Sequence, residues 1–198
     1  MGAAQGKRPQ SLAILAMTGE ARTWIHRFKY PGRGLTHLDP RALEVARFLA
    51  RTLSQHAGIG PGDWIVPMPL HRRRFRRRGF NPASLIAGEI ARRTGNPLVT
   101  GWLVRTRDTP AQAGLDARAR QRNVHEAFAC RPGAWDPPQR AWLVDDVTTT
   151  GATLAAAGHA LAAAGVREII GLCLARTRVG HARFRKSHLS DEPGPRAF

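Results

Sequence analysis

The chain has 198 residues, with 31 Lys and Arg against 14 Asp and Glu and a formal net charge of +17. This length suits one ordinary domain with a substantial core, and Cys130 and Cys173, far apart and in no C-x-x-C pair, exclude a disulfide framework or a zinc knuckle. Nearly all the positive charge is arginine, which either draws polyanions such as nucleic acid or reflects arginine-biased coding and the cations a phosphate site needs.

Residues 1–10 are small and polar and read as a flexible N-terminus, leaving residues 11–176 for the domain and 177–198 for a basic, partly disordered tail. The apolar run Leu12 to Met17 is too short to cross a bilayer, and no signal-peptide cleavage pattern follows it. The expectation is a cytoplasmic protein without membrane insertion. Ala21, Trp24, Ile25 and Phe28 share a helical face that Pro31 and Gly32 end. Asp39 followed by Pro40 starts a second helix, whose apolar face is Ala42, Leu43, Ala46, Leu49, Ala50 and Leu53, with Gly58 as its stop.

Trp64, Ile65 and Val66 predict a short buried strand, closed by Pro67, Met68 and Pro69. Leu70 and His71 lead into Arg72, Arg73, Arg74, Phe75, Arg76, Arg77 and Arg78, six arginines in seven positions. Such a run reads as a loop that is solvated or holds an anion. Phe75 and Phe80, set among these cations, are either stacking surfaces for bases or buried anchors for the loop. Asn81 and Pro82 start another helix by the same cap logic, with Leu85, Ile86 and Ile90 inside and Gly95 at its end. Leu98 and Val99, or Trp102 to Val104, supply the next strand; residues 105–124 are a long polar stretch, read as a mobile loop with a short helix from Asp116. Ala127 to Cys130 reads as an edge strand.

The most informative stretch follows, AWLVDDVTTTGATL over residues 141–154. Trp142, Leu143 and Val144 form a strand, Asp145 and Asp146 stand where it should end, and Leu154, Ala157, Leu161 and Ala164 space out a helix that Gly165 stops. Between them lie Thr148, Thr149, Thr150, Gly151, Ala152 and Thr153, a hydroxyl-rich turn. A helix start offers unpartnered N–H groups and the positive end of the helix dipole, so this turn suits a phosphate. Two carboxylates beside it call for hydroxyls or a metal ion, and ribose 5-phosphate meets both needs. Ile169 to Ala175 is the last strand. Strands alternating with helices predict a parallel sheet covered on both faces, with ligands at the carboxyl ends of the strands. Asp145 and Asp146 and the end of the Trp64–Val66 strand should therefore face one pocket.

VDDVTTTGAT resembles the phosphoribosyl pyrophosphate (PRPP) motif of type I phosphoribosyltransferases. Together with IHRFKYPG, VPMPLHRRRFRRRGFN and RTRDTPAQAGLDARARQRNVHEAF, in that order over roughly residues 18–176, it resembles the ComF-type branch of phosphoribosyltransferase-like proteins. The resemblance implies an α/β type I phosphoribosyltransferase fold, a mostly parallel twisted sheet flanked by helices, and a link to DNA uptake and natural transformation. It implies that Asp145 and Asp146 are catalytic and hold the ribose hydroxyls, that Thr148, Thr149, Thr150, Gly151, Ala152 and Thr153 hold the 5-phosphate, and that Pro67, Met68, Pro69, Leu70, His71 and Arg72 meet pyrophosphate. Arg105, Arg107, Thr109 and Gln112 match a flexible loop that closes over PRPP. Mg²⁺ is expected near Asp145 and Asp146, held through the ligand's own oxygens and not by a protein cluster. The implied reaction is pentosyl transfer from PRPP, with the acceptor open; a non-catalytic nucleotide sensor or single-stranded-DNA adaptor is the alternative.

Arg73, Arg74, Arg76, Arg77 and Arg78 are the candidate nucleic-acid contacts, with single-stranded DNA and DNA-uptake or recombination proteins as partners. The chain departs from the family pattern twice. It lacks the four-cysteine zinc module many members carry, so no zinc is expected, and Pro82 replaces the usual glutamine after R-G-F-N.

Overall fold

The structure is a computed structural model that describes residues 10–16, 40–107, 127–133, 136–148 and 151–176. Within these the chain forms β1 (Gln10–Ala16), α1 (Pro40–Ala57), β2 (Trp64–Pro67), α2 (Arg72–Arg78), α3 (Pro82–Thr94), β3 (Leu103–Arg105), β4 (Phe128–Cys130), β5 (Arg140–Thr148), α4 (Ala152–Ala163) and β6 (Glu168–Arg176). The four long-range strands make one sheet in the order β1-β6-β5-β2, parallel at every pairing. Beyond β2, Leu98 adds a parallel bridge to Ile65, held by Ile65 N–H to the Pro97 carbonyl and Val99 N–H to the Ile65 carbonyl. β3 and β4 form a separate antiparallel pair.

Successive side chains of a strand leave opposite faces of the sheet, and here the two faces bury two different cores. Ile65, Trp142, Val144 and Leu172 pack with Ala46 and Ala50 of α1 and Ile86, Ala87, Ile90 and Ala91 of α3. Val66, Ala141, Leu143 and Cys173 pack on the other side with Leu154, Ala157 and Leu161 of α4 and with Trp102, Leu103 and Phe128 of the β3–β4 pair. Helices thus cover both faces, as the near-continuous apolar strands require. The expected fold class, a parallel sheet flanked by helices, is the one the chain adopts.

Three expectations change. The run from Leu12 belongs to a strand that already starts at Gln10, inside the stretch read as loose, because it pairs with β6 from Gln10↔Ile170 onward. β5 does not end at the two carboxylates but continues to Thr148, since β6 keeps pairing past them at Val147↔Ala175 and Thr148↔Arg176. The arginine run is helical, not a loop. Arginine is a good helix former, and both ends are capped: His71 Nδ1 accepts from Arg73 N–H at 3.3 Å, and Gly79, at φ 80°, donates its N–H to the Phe75 carbonyl at 2.8 Å. With Arg72, Arg73 and Arg76 exposed, water screens the repulsion among the arginines.

The expected helix around Ala21 to Phe28, the helix from Asp116 and the tail from residue 177 lie outside the described residues.

The strand starts are tied together by a buried acid. Asp63, 7% exposed, accepts from Trp142 Nε1 at 2.8 Å and from Gly60 N–H at 2.9 Å, and lies 3.6 Å from Arg140. Arg140 also donates to Glu168 at 2.7 Å, which with Asp63 raises its pKa further above the ordinary guanidinium value. This network joins β2, β5 and β6 at their amino ends and so holds their carboxyl ends in register.

Candidate functional site

The carboxyl ends of β2 and β5 lie side by side. Pro67 pairs with Val144, and Met68 N–H donates to the Val144 carbonyl at 2.7 Å, one residue before the acid pair. The two stretches singled out in the sequence therefore meet at one edge of the sheet.

Asp145 is half-buried and Asp146 is 9% exposed. Each carboxylate is fixed by the backbone just after it: Asp145 Oδ1 accepts from Asp146 N–H at 2.8 Å and Asp146 Oδ1 from Val147 N–H at 2.7 Å. Val144 and Val147 both pack on the α1–α3 side, so strict alternation breaks at the Asp145–Asp146 step and the strand changes its facing there. Thr148 follows at 4% exposure.

Beyond it, Gly151 is the N-cap of α4 at φ 77° and ψ 2°, and makes no side-chain capping hydrogen bond itself. A Cβ built on Gly151 meets nothing within 4 Å among the described residues, so the glycine is required by its left-handed backbone and not by close packing. The first turn of α4 carries no acid, which keeps the positive end of the helix uncompensated. Ala152 and the half-buried Thr153 lie in that turn; Thr149 and Thr150 lie outside the described residues.

On the β2 side, Pro67 and Met68 are buried, Pro69, Leu70 and His71 half-buried and Arg72 exposed. One residue the sequence reading used only as a helix cap does more. Asn81 Oδ1 accepts from Ala83 N–H at 3.1 Å, capping α3, while its Nδ2 donates to the Met68 carbonyl at 2.9 Å. The cap was legible from Asn-Pro; the reach across thirteen positions to Met68 depends on how α2 folds back, which no local pattern encodes.

Arg105 and Arg107 stand at the base of the long connection. Arg105 pairs with Phe128, its guanidinium carbon lies 5.4 Å from the Phe128 ring centre, and its Nε donates to the Arg107 carbonyl at 3.3 Å. Thr109 and Gln112 lie outside the described residues. Arg74 and Arg78 are half-buried, Arg73 and Arg76 exposed. The described residues contain no group of three or more His, Cys, Asp or Glu that would hold a metal ion, and no helix among them is long and apolar enough to cross a membrane.

A parallel sheet carrying paired carboxylates and a glycine turn at the start of a helix is the arrangement expected of a phosphoribosyltransferase-like protein. Within that class the chain belongs to the ComF-type competence family. It is 38% identical over 146 residues to competence protein F of Haemophilus influenzae, 73% of this chain and 63% of that one. It is 34% identical over 162 residues to the DNA utilization protein YhgH of Salmonella typhi and 32% over 160 residues to that of Escherichia coli K12, in both cases 77% of this chain. The chain spans 66% of the length of those two relatives. No protein-family model matches it. Among solved structures, adenine phosphoribosyltransferase from Leishmania donovani matches 85% of this chain and 84% of its own at 14% identity, with a TM-score of 0.41, too loose a superposition to carry an argument.

Proposed function

We propose that the carboxyl edge of β2 and β5 holds a phosphoribosyl ligand, Mg-PRPP or a close relative, and that the protein uses it in DNA uptake, in line with its relatives' names. The observation that carries this reading is the pairing of Pro67 with Val144, which sets the pyrophosphate-type loop beside the acid pair. Asp145 and Asp146 would take the ribose hydroxyls, and the turn of Thr148, Thr149, Thr150, Gly151, Ala152 and Thr153 the 5-phosphate. The loop from Pro67 through His71 to Arg72 would take the pyrophosphate, Arg72 as a guanidinium fork.

The donor set fits Mg²⁺. Two carboxylates without a third protein ligand among the described residues suit an ion that keeps most of its shell from phosphate oxygens and water. When bound, the ion neutralises charge on pyrophosphate. The chain's own contribution is to orient the ribose and to place negative charge beside the carbon where positive charge develops. Cytoplasmic action on PRPP, with Arg105, Arg107, Thr109 and Gln112 closing over it, completes the proposal.

Calorimetry and thermal shift with PRPP, nucleotides and pyrophosphate, with and without Mg²⁺, test it. Ligand at a hundred times its Kd should stabilise the fold by about 2.7 kcal/mol. Asp145→Asn with Asp146→Asn should abolish PRPP–Mg²⁺ binding while the protein stays folded, and unchanged affinity would sink the assignment. Pyrophosphate release in the presence of candidate acceptor bases then reads transfer directly.

A further inference from the structure

The phosphoribosyl reading uses two strand ends at the carboxyl edge of the sheet, β2 for pyrophosphate and β5 for ribose. The sheet order β1-β6-β5-β2 puts β6 on the other flank of β5. Its last residue is Arg176, in register with Thr148 of β5 on one side and with Ala16 of β1 on the other. Thr148 opens the phosphate turn and follows the acid pair by two positions. Neighbouring strands lie about 4.8 Å apart, so the register sets Arg176 one strand spacing from the start of that turn. In the last three residues of β1 and of β6, Ile14 to Ala16 and Leu174 to Arg176, Arg176 is the only one whose side chain carries charge or a hydrogen-bonding group.

Transfer of the ribosyl group breaks the bond from its C1 carbon to a pyrophosphate oxygen, which leaves with the electron pair, and forms a bond from C1 to the acceptor. The departing pyrophosphate covers the face of C1 that it leaves, so an acceptor aligned for attack comes from the opposite face. With pyrophosphate on the β2 flank of β5, the opposite flank is that of β6. A guanidinium has donors in a planar fork and no acceptor. It pairs with a carbonyl oxygen and a neighbouring ring nitrogen, as arginine does with O6 and N7 of guanine, whereas an exocyclic amino group in the place of that oxygen turns donor against donor.

We propose that Arg176 is the specificity-determining residue on the acceptor side, and that the acceptor is an oxo-substituted nitrogen heterocycle, of the hypoxanthine or uracil kind and not of the adenine kind. The acceptor's ring nitrogen bonds to C1 and releases its proton to water, while Arg176 stabilises the negative charge shared with the carbonyl oxygen. This inference rests on the phosphoribosyl reading and adds to it the class of the second substrate.

Product nucleotides test it, because they span the phosphate, ribose and acceptor positions together. Calorimetry of the full chain with inosine, uridine and adenosine 5′-monophosphates, each with Mg²⁺ and pyrophosphate, is compared with ribose 5-phosphate and Mg-PRPP, which carry no base. The inosine and uridine nucleotides should bind at least about tenfold more tightly than the adenosine nucleotide. Arg176→Ala should erase that preference and leave ribose 5-phosphate and PRPP affinities unchanged. Arg176→Lys keeps the charge without the fork and should lower the preference without removing it, which reads the role even where Arg176→Ala does not fold. Equal or tighter binding of the adenosine nucleotide overturns the inference, as does a full oxo preference in either variant. An equal loss of ribose 5-phosphate affinity in Arg176→Ala also overturns it, since the residue would then serve the ribose end. Wild-type protein that binds neither PRPP nor ribose 5-phosphate overturns the phosphoribosyl reading itself, whereas retained PRPP binding without an oxo preference removes only the role of Arg176.

Discussion

A carboxylate that accepts from the next backbone N–H has its orientation set before any ligand arrives. Asp145 and Asp146 both do this, and an amide oxygen accepts from the same N–H, so replacing either carboxylate by an amide removes its charge with that contact kept. The double Asn variant is checked for folding as well as for binding. Cys130 behaves in the opposite way, as a residue withdrawn from chemistry. Its thiol donates to the Ala160 carbonyl at 3.5 Å, and burial raises its pKa from 9.0 to about 11. At pH 8 the thiolate fraction is on the order of one in a thousand, so alkylation should be slow in the folded protein and fast after denaturation, as read by mass spectrometry. The sign for stability follows. From about pH 9 the unfolded chain ionises this thiol, while the folded chain holds its proton up to about 11, so the contribution from Cys130 is lost as pH rises through that window. Rapid native labelling of the half-buried Cys130 would contradict the raised pKa.

Elements are decided by their ends as much as by their interiors, and α2 and α3 show this in sequence. The run of arginines has no apolar periodicity and so read as a loop; His71 and Gly79 supply the start and the stop that make seven residues a helix. For α3, Asn81, Pro82 and Gly95 were readable because capping chemistry is local. The tether from Asn81 to Met68 was not, since it depends on tertiary return. Two variants separate the roles. Asn81→Ala should destabilise the protein by about 1–2 kcal/mol through loss of the cap and should weaken PRPP binding by freeing Met68. Asn81→Asp keeps an oxygen for Ala83 N–H but loses the donor to Met68, so chemical denaturation should show a smaller loss while ligand affinity still falls. Equal ligand affinity in wild type and Asn81→Asp would remove the tether from the account.

At the scale of the molecule, the parallel sheet was legible because its strands are short apolar runs set between capped helices, and the edge where β2 and β5 meet followed from the rule that places ligands at strand ends. The acid pair was legible in identity but not in place. Its position inside β5 is set by pairing with β6, a long-range contact invisible to a window of neighbours. The opposite end of the sheet was not foreseen. A buried Asp63 joined to Trp142 carries no local signature, yet it ties β2 to β5. Trp142→Phe removes the donor and should cost about 1–3 kcal/mol in urea unfolding, with PRPP affinity unchanged because the site lies at the other end of the strands. A loss of affinity without a loss of stability would reverse that assignment.

The β3–β4 pair has a consequence of another kind. Arg105 pairs with Phe128, and Thr106 N–H donates to the Ala127 carbonyl at 2.9 Å, so the two ends of the intervening segment are held side by side. Once the ends are joined, doubling the length of the intervening segment costs only about 0.6 kcal/mol. Insertions and deletions there are nearly neutral for folding. Lineages can therefore change the length of this segment while the sheet stays the same.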